Sequence, residues 1–149
     1  MKLRSGYKKL LVAAVIILVA VISIIVWDKT RMWDYYSDAD SFRSGSGVVT
    51  YICRVEEDEK IVLAFSDIEQ SFHDNCFDIE GENYHIVMEN GILEKLSLGD
   101  SVQFVGSPRV FGDGYVLPLI GLSVEGQVLL DPAVGYSNFL DWLRADLIS

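Results

Sequence analysis

The sequence lacks the short motifs that identify most catalytic and cofactor-binding sites. It has no P-loop, no G-x-G-x-x-G turn, no H-E-x-x-H pair and no G-x-S-x-G nucleophile elbow. Its two cysteines are separated by 22 residues, so they do not form a C-x-x-C redox pair. Because these motifs place the reactive groups of large enzyme classes, their absence favours a protein that is not an enzyme and that binds no metal or cofactor.

Positive charge is also scarce. The chain has 12 Lys and Arg against 22 Asp and Glu, which gives a formal net charge of −10. Residues 1–27 hold four basic side chains and no acidic one, so residues 28–149 carry a net charge of −14. Nucleic-acid binding depends on cations that neutralise phosphates, and a region of this sign repels phosphates. We therefore expect no nucleic-acid partner.

One long apolar run contrasts with this acidic composition. Residues 10–27 read LLVAAVIILVAVISIIVW and contain no charge. As a helix the run spans about 27 Å, close to the thickness of a bilayer core. Basic flanks stay in the cytoplasm, and the four early basic residues all precede the run. We predict a single-pass protein of the cell membrane, with a cytoplasmic tail at 1–9, a lipid-contacting transmembrane helix at 10–27 and an extracytoplasmic C-terminal part.

Two alternatives to an uncleaved anchor remain open. A cleaved signal has a shorter apolar core, of roughly 7–15 residues, followed by a small-residue cleavage site. Here the run leads into Val26, Trp27 and Asp28, which offer no such site. A buried core helix usually has a polar stripe, whereas this run is apolar on all sides. Both comparisons favour the anchor.

The acidic part divides into a connecting segment and a folded domain. Residues 28–46 mix charges, aromatic rings and small residues, and the stretch from Ser41 to Gly47 is rich in Ser and Gly. Since Ser and Gly fix no backbone conformation, we expect a juxtamembrane segment and a flexible linker at 28–46. The folded extracytoplasmic domain then occupies 47–149.

The domain shows the two-residue periodicity of β-strands. Val49, Tyr51, Cys53 and Val55 alternate with other residues, which predicts that they share one face of the first strand. Pro118 cannot donate a ladder hydrogen bond, so its strand should lie at an edge or carry a bulge. The further predicted elements are strands at 61–65, 84–88, 102–108 and 115–124, a short helix within 92–100, and a terminal helix capped by Asn138.

This order of three strands, a helix, two strands and a helix resembles an OB-fold, a small five-stranded β-barrel. The segment KLSLGDSVQFVGSP is similar to the one that enters the fourth strand of such barrels. The resemblance implies ligand binding on the second and third strands and on the 1–2 and 4–5 loops. The 1–2 loop is then the acidic turn Glu56–Glu59. The 4–5 loop carries our candidate contacts for a ligand or partner, which are Arg109, Phe111 and Tyr115.

Cys53 and Cys76 are possible disulfide partners, because both lie in the predicted extracytoplasmic part, where disulfides persist. The bond would close a loop of about 24 residues and stabilise the fold by roughly 3 kcal/mol. The alternative is two free thiols, with Cys53 in the core. His73 and His85 are the only histidines, and zinc needs three or four converging N, S or O ligands. We therefore predict no metal site.

Together, the anchor, the small domain and the missing motifs predict a membrane-anchored extracytoplasmic binding or accessory module. Its partner would be a protein or a component of the cell envelope. The alternative is a small envelope hydrolase or metal-dependent enzyme that uses the region of His73 and Cys76. That alternative requires the two side chains to converge with an acidic group in one pocket.

Overall fold

The structure, a computed structural model, describes residues 2–109 and 116–149. The chain forms two compact units, Met1–Tyr35 and Tyr36–Ser149. Helix α1 (Lys2–Tyr36) contains the whole apolar run. From Gly6 to Tyr36 this helix is long and apolar enough to span a membrane. Thr30 donates its hydroxyl hydrogen bond to the carbonyl of Val26 at 2.8 Å, so this polar group is satisfied inside the helix.

The second unit is built on one six-stranded sheet. Its order is β3-β2-β1-β4-β5-β6, and β3 also pairs in parallel with β5, which closes the first five strands into a barrel. A short 3-10 turn (Ala39–Ser41) precedes the barrel. The strands are β1 (Arg43–Val55), β2 (Lys60–Ser66), β3 (Cys76–Ile79), β4 (Ser101–Gly106), β5 (Leu117–Val124) and β6 (Gln127–Leu130), and the helices of this unit are α2 (Glu82–Glu89), α3 (Ile92–Lys95) and α4 (Pro132–Ile148).

The closed five-stranded barrel, with an apolar helix before it and a helix after it, confirms the predicted fold class. Helices α2 and α3 lie between β3 and β4, where the resemblance to an OB-fold requires a helix. Four phenylalanine rings fill the barrel, with Phe104 at their centre. The ring centroids of Phe65, Phe72 and Phe77 lie 5.0, 5.3 and 4.9 Å from that of Phe104.

The predicted third strand is wrong. Residues 84–88 belong to α2, and the third strand of the barrel is β3, in a stretch that the sequence pattern left irregular. Tyr84 and Val87 are both buried, at the three-residue spacing of one helix face. The alternation of apolar residues at 84, 86 and 88 is therefore incidental. Strand β3 was missed because only Phe77 and Ile79 point into the core.

The predicted linker is also wrong, because the folded unit begins at Tyr36 and β1 begins at Arg43. Gly45 and Gly47 lie within β1 and pair with Phe104 and Val102 of β4. A Cβ atom at Gly45 would come within 2.7 Å of the Phe104 ring. These glycines therefore allow close packing inside the barrel rather than flexibility between domains.

A bulge in β1 changes which side chains face the core. Val49 pairs with Phe65 and Tyr51 pairs with Ala64, which leaves Thr50 as the extra residue. Val49 is consequently buried, whereas Tyr51 lies on the outer surface. The prediction that Val49, Tyr51 and Cys53 share one face is wrong for this reason.

The fifth strand and the last helix differ from the prediction in detail. Strand β5 is a strand of the barrel wall that pairs with both β3 and β4, so it is not an edge strand. The register of its pairing with β4 shifts near Pro118. Of the two predicted alternatives, an edge strand or a bulge, the bulge is therefore correct. Helix α4 begins at Pro132, and the side chain of Asp131 caps it by accepting hydrogen bonds from the backbone N–H groups of Ala133 and Val134. Asn138, the predicted cap, lies inside the helix.

Candidate functional site

The OB-like architecture indicates binding on the second and third strands, and the outside of β2 and β3 continues onto β1. Neighbouring strands align Tyr51 with Ala64 and Cys76, and Cys53 with Val62 and Asp78. Because side chains alternate across a strand, these positions point outward while Ile61, Leu63 and Phe77 point into the core. We call this surface the outer face; it consists of Tyr51, Cys53, Val62, Ala64, Cys76 and Asp78.

Tyr51 is the most prominent side chain of the outer face. It is 50% exposed, which is unusual for a large aromatic residue in the middle of a strand. A hydrogen bond with the side chain of Cys53, together with the charge that the nearby thiols can carry, raises the pKa of the Tyr51 phenol. The phenol therefore stays neutral, and the ring presents an uncharged surface with one polar tip.

The two thiols are free and are separated by β2. Adjacent strands lie about 4.8 Å apart, so β1 and β3 are about 10 Å apart across β2. A disulfide requires Cα atoms within about 7 Å. The structure therefore does not contain the predicted Cys53–Cys76 bond, and forming it would require β2 to move. Cys53 also lies on the outer face and not in the core, as the free-thiol alternative had placed it.

One end of the outer face is polar and was missed by the sequence analysis. Lys60 Nζ lies 3.8 Å from Glu80 Oε1 and 3.9 Å from Asp58 Oδ2. The carboxyl groups of Asp78 and Glu80 lie close enough to influence each other electrostatically. Burial, and then the negative charge of Glu80, raises the pKa of Asp78 to about 7. The only sequence signal was an acidic residue between Phe77 and Ile79, and it is informative only once β3 is recognised.

The acidic turn Glu56–Glu59 borders this polar end and is held by contacts with basic groups. Arg54 Nη1 lies 3.2 Å from Glu56 Oε1, and its Nε donates a hydrogen bond to the Tyr84 hydroxyl at 2.9 Å. His85 Nε2 lies 3.4 Å from Glu59 Oε2. Helix α2 therefore places His85 beside the 1–2 loop. The predicted strand at 84–88 did not indicate this contact.

Of the three contact residues predicted in the 4–5 loop, Arg109 is the one that the structure describes. Arg109 is exposed, and its backbone carbonyl accepts hydrogen bonds from the Tyr36 hydroxyl at 3.3 Å and the Ser107 hydroxyl at 2.9 Å. These bonds fix the start of the loop. Phe111 and Tyr115 lie outside the described residues, so the proposed contact made of all three residues stays a prediction.

The region of His73 and Cys76 does not form an evident reactive centre. His73 is exposed, and its backbone N–H donates to the carbonyl of Pro108 at 2.9 Å. Burial, and the nearby carboxylates of Asp74 and Asp78, raise the pKa of the Cys76 thiol. A raised pKa disfavours the thiolate that nucleophilic catalysis needs. Within residues 2–109 and 116–149, no group of three His, Cys, Asp or Glu side chains is arranged to hold a metal ion.

A separate surface of the barrel, away from the residues of the outer face, is concave. It is an open groove of about 190 Å³ over β4, β5 and β6. Its lining includes Gln103, Val105, Gly121, Val128 and Pro132. The groove is uncharged, since no titratable group of the described residues lines it. Its lining can pack against a ligand but supplies no charged or titratable side chain.

Comparisons of the chain with protein-family models, with curated proteins and with solved structures found no match.

Proposed function

We propose that the chain is a single-pass membrane protein whose barrel is an extracytoplasmic binding or accessory module. In this arrangement α1 crosses the bilayer, the basic residues before Leu10 stay in the cytoplasm, and the acidic barrel lies outside. The barrel binds a protein or a component of the cell envelope. It does not bind nucleic acid, because residues 28–149 carry a net charge of −14.

The observation that carries this proposal is the composition of the outer face. Its centre is small and uncharged, with Val62 and Ala64 beside the exposed ring of Tyr51. Exposed tyrosines in such surroundings supply contact area at a low entropy cost, which is why they are frequent in binding surfaces. Strands β2 and β3 of the outer face are the ones on which OB-like barrels bind ligands, and Tyr51 of β1 pairs directly beside them.

The rim of the outer face limits the chemistry of the partner. The acidic turn Glu56–Glu59 lies at one end, and Asp74 lies beside Cys76 at the other. Acidic rims repel anionic polymers and increase the association rate of basic partners at low salt. An uncharged or basic partner therefore fits this surface best.

Site-specific crosslinking in cells tests the proposal with the full-length chain. A benzophenone amino acid is introduced at position 51, at position 62, or at position 103 as a control on the outside of β4, and intact cells are irradiated. Because benzophenone reacts with C–H bonds of proteins and glycans alike, it does not presuppose the partner. We expect one adduct of defined mass from positions 51 and 62 and none from 103. Equal adducts from all three positions, or none from 51 and 62, would contradict the proposal.

A further inference from the structure

Asp78 is the acidic member of the outer face. Its strand pairing places it beside Val62 of β2, and the next outward position of β2 is Ala64. Adjacent strands lie about 4.8 Å apart, and the side chains of one face repeat about every 7 Å along a strand. The Asp78 backbone therefore lies within about 9 Å of both Val62 and Ala64. A carboxyl group thus borders the uncharged centre of the face, on the side opposite Tyr51.

The carboxyl group of Asp78 has no basic partner of its own. The residue is half-buried, and among the described residues no nitrogen of Lys, Arg or His lies within 4.0 Å of its carboxyl group. Lys60 acts on Asp78 from a greater distance, while its Nζ lies 3.9 Å from Asp58 Oδ2 and 3.8 Å from Glu80 Oε1. A half-buried carboxylate without a close counter-ion is costly, because it loses hydration and gains little attraction in return.

The charges around Asp78 are negative in sum. Three carboxyl groups, those of Asp58, Asp78 and Glu80, face the ammonium group of Lys60. Helix α4 adds Asp146, whose charge acts on Glu80. Burial, and then the charge of Glu80, raises the pKa of Asp78 to about 7, as expected for a carboxyl group whose charge is not compensated. The part of the chain that the structure describes therefore leaves room for one more cation at this position.

A partner that covers the centre of the outer face buries Asp78 further and must compensate its charge. A metal ion does not fit, because no three His, Cys, Asp or Glu side chains of the described residues are arranged to hold one. A neutral glycan brings no cation. A Lys or Arg side chain fits, since it carries its charge on an aliphatic stem that can lie along Val62 and Ala64. The chemistry of the face therefore favours a protein.

We propose that the outer face binds a protein whose Lys or Arg side chain pairs with Asp78 while an apolar side chain of the same segment packs on Tyr51 and Val62. The cation donates hydrogen bonds to the Asp78 carboxylate and supplies the missing positive charge. A neutral residue at that position of the partner would leave Asp78 buried and unpaired, so Asp78 selects for a basic residue. This inference rests on the proposed function, because it names the partner of that same surface.

Pairing with a cation gives binding a pH dependence of defined sign. The cation favours the charged form of Asp78, so binding lowers the pKa of Asp78 from about 7. Below pH 7 binding must release a proton, and the affinity therefore rises with pH up to about 7 and is constant above it. The other groups that face Asp78 do not reverse this sign. The pKa of the Cys76 thiol is raised, so it stays neutral, Pro118 of β5 is uncharged, and the pKa of Glu80 is shifted in the same direction as that of Asp78.

Crosslinking from position 62 in intact cells tests the inference, because Val62 pairs directly with Asp78. The full-length chain carries the benzophenone amino acid there, and the adduct is digested with a protease that does not cut at basic residues and is then sequenced by mass spectrometry. We expect an adduct with a protein, attached within about three residues of a Lys or Arg, which is the reach of a short extended segment. Asp78→Lys should abolish the adduct, and exchanging that basic residue of the partner for Glu should restore it.

Asp78→Asn is the matched variant, because it removes the charge and keeps the shape of the side chain. We expect it to lower the adduct yield at least about fivefold, whereas Asp78→Glu should retain most of the yield. Asp141→Asn, at an exposed aspartate of α4, is the control and should change nothing. Lowering the external pH from about 7.5 to about 5.5 should reduce the yield of the unmodified chain but not that of Asp78→Asn. This pH series on the unmodified chain also covers the case in which the Asp78 variants do not fold.

The outcomes separate this inference from the proposed function. An adduct with a glycan, an unchanged yield in Asp78→Asn when its barrel resists protease, or a yield of the unmodified chain that does not fall with pH would overturn the pairing and leave the proposed function in place. The absence of any adduct from position 62 would overturn both.

Discussion

The two units of the chain place the same kinds of side chain in opposite surroundings. In α1, Leu10 and Ile16 are 71% and 62% exposed, whereas Ile61 and Leu63 in the barrel are fully buried. A helix that is apolar on all sides and covers nothing is out of place in water, but it is suited to a lipid bilayer. Apolar residues of the barrel build a core, whereas those of α1 stay exposed on a helix that is long and apolar enough to span a membrane.

The two units also satisfy their backbone polar groups differently. Helix α1 forms its hydrogen bonds within one segment, which is what a membrane requires. The barrel instead depends on pairing between distant strands, and closing β3 on β5 pairs the edge that β3 would otherwise leave open. A substitution in α1 should therefore change how well the helix inserts into a membrane, whereas a substitution in the barrel should change its packing and its stability.

Charging the middle of α1 should have the largest effect. Val15→Lys with Val19→Lys places two ammonium groups at the centre of the apolar run, at about 2.5–3.5 kcal/mol each for membrane insertion. We expect the chain to leave the membrane fraction while the barrel keeps its fold, as measured by carbonate extraction and by protease resistance of residues 36–149. Val15→Leu with Val19→Leu is the control and should remain in the membrane; a charged variant that also remains would show that α1 is not the anchor.

A cavity in the barrel core should have the next largest effect. Phe77→Ala removes a fully buried ring that contacts Phe104, which should lower the free energy of unfolding by about 3–5 kcal/mol. Denaturant unfolding of the barrel measures the loss, and membrane retention should not change. Tyr51→Ala removes a ring of similar size from the outer face and should cost far less. Equal losses from both variants would contradict the assignment of inner and outer faces.

Glycine substitutions distinguish the two units at a smaller scale. Gly45→Ala pushes a methyl group against the Phe104 ring, so we expect the free energy of unfolding to fall by about 1–3 kcal/mol. Gly6→Ala in α1 meets no atom within 4 Å and should leave the barrel unchanged. Unfolding curves of the two single variants decide between a packed strand and a flexible linker at Gly45. A neutral Gly45→Ala would support the linker.

Removing the cap of α4 should have the smallest effect. Asp131→Ala deletes the acceptor for the N–H groups of Ala133 and Val134, which should lower the free energy of unfolding by about 1 kcal/mol. Asp141→Ala, at an exposed position inside the helix, is the matched control and should change it by a few tenths. Similar effects of the two substitutions would show that Asp131 does not cap α4.

The sequence periodicity was sufficient to predict the barrel but not the positions of all its parts. The strands around Val102 and Leu119 follow a clear pattern of apolar residues, and their order led to the OB-like fold class. The third strand could not be found because β3 has four residues and gains its place only by pairing with β2 and β5. Pairing between distant segments is not visible in local periodicity.

The outer face was indicated by the resemblance, but its members could not be identified. A single extra residue, Thr50, turns Tyr51 and Cys53 outward, and nothing in the local sequence marks this bulge. The environment of Asp78 depends in addition on closure of the barrel, which brings Pro118 beside it. Burial of a polar group is therefore the property that the sequence reveals least.

Labelling of the two native thiols tests most directly whether α1 holds the barrel outside the cell. Cys53 and Cys76 are partly exposed on the outer face, so a membrane-impermeant maleimide can report on which side of the membrane they lie. The account predicts that both thiols of the full-length chain are labelled in intact cells, and that the labelled chain stays in the membrane pellet after alkaline carbonate. Labelling that occurs only after lysis, or release of the intact chain by carbonate, would contradict it.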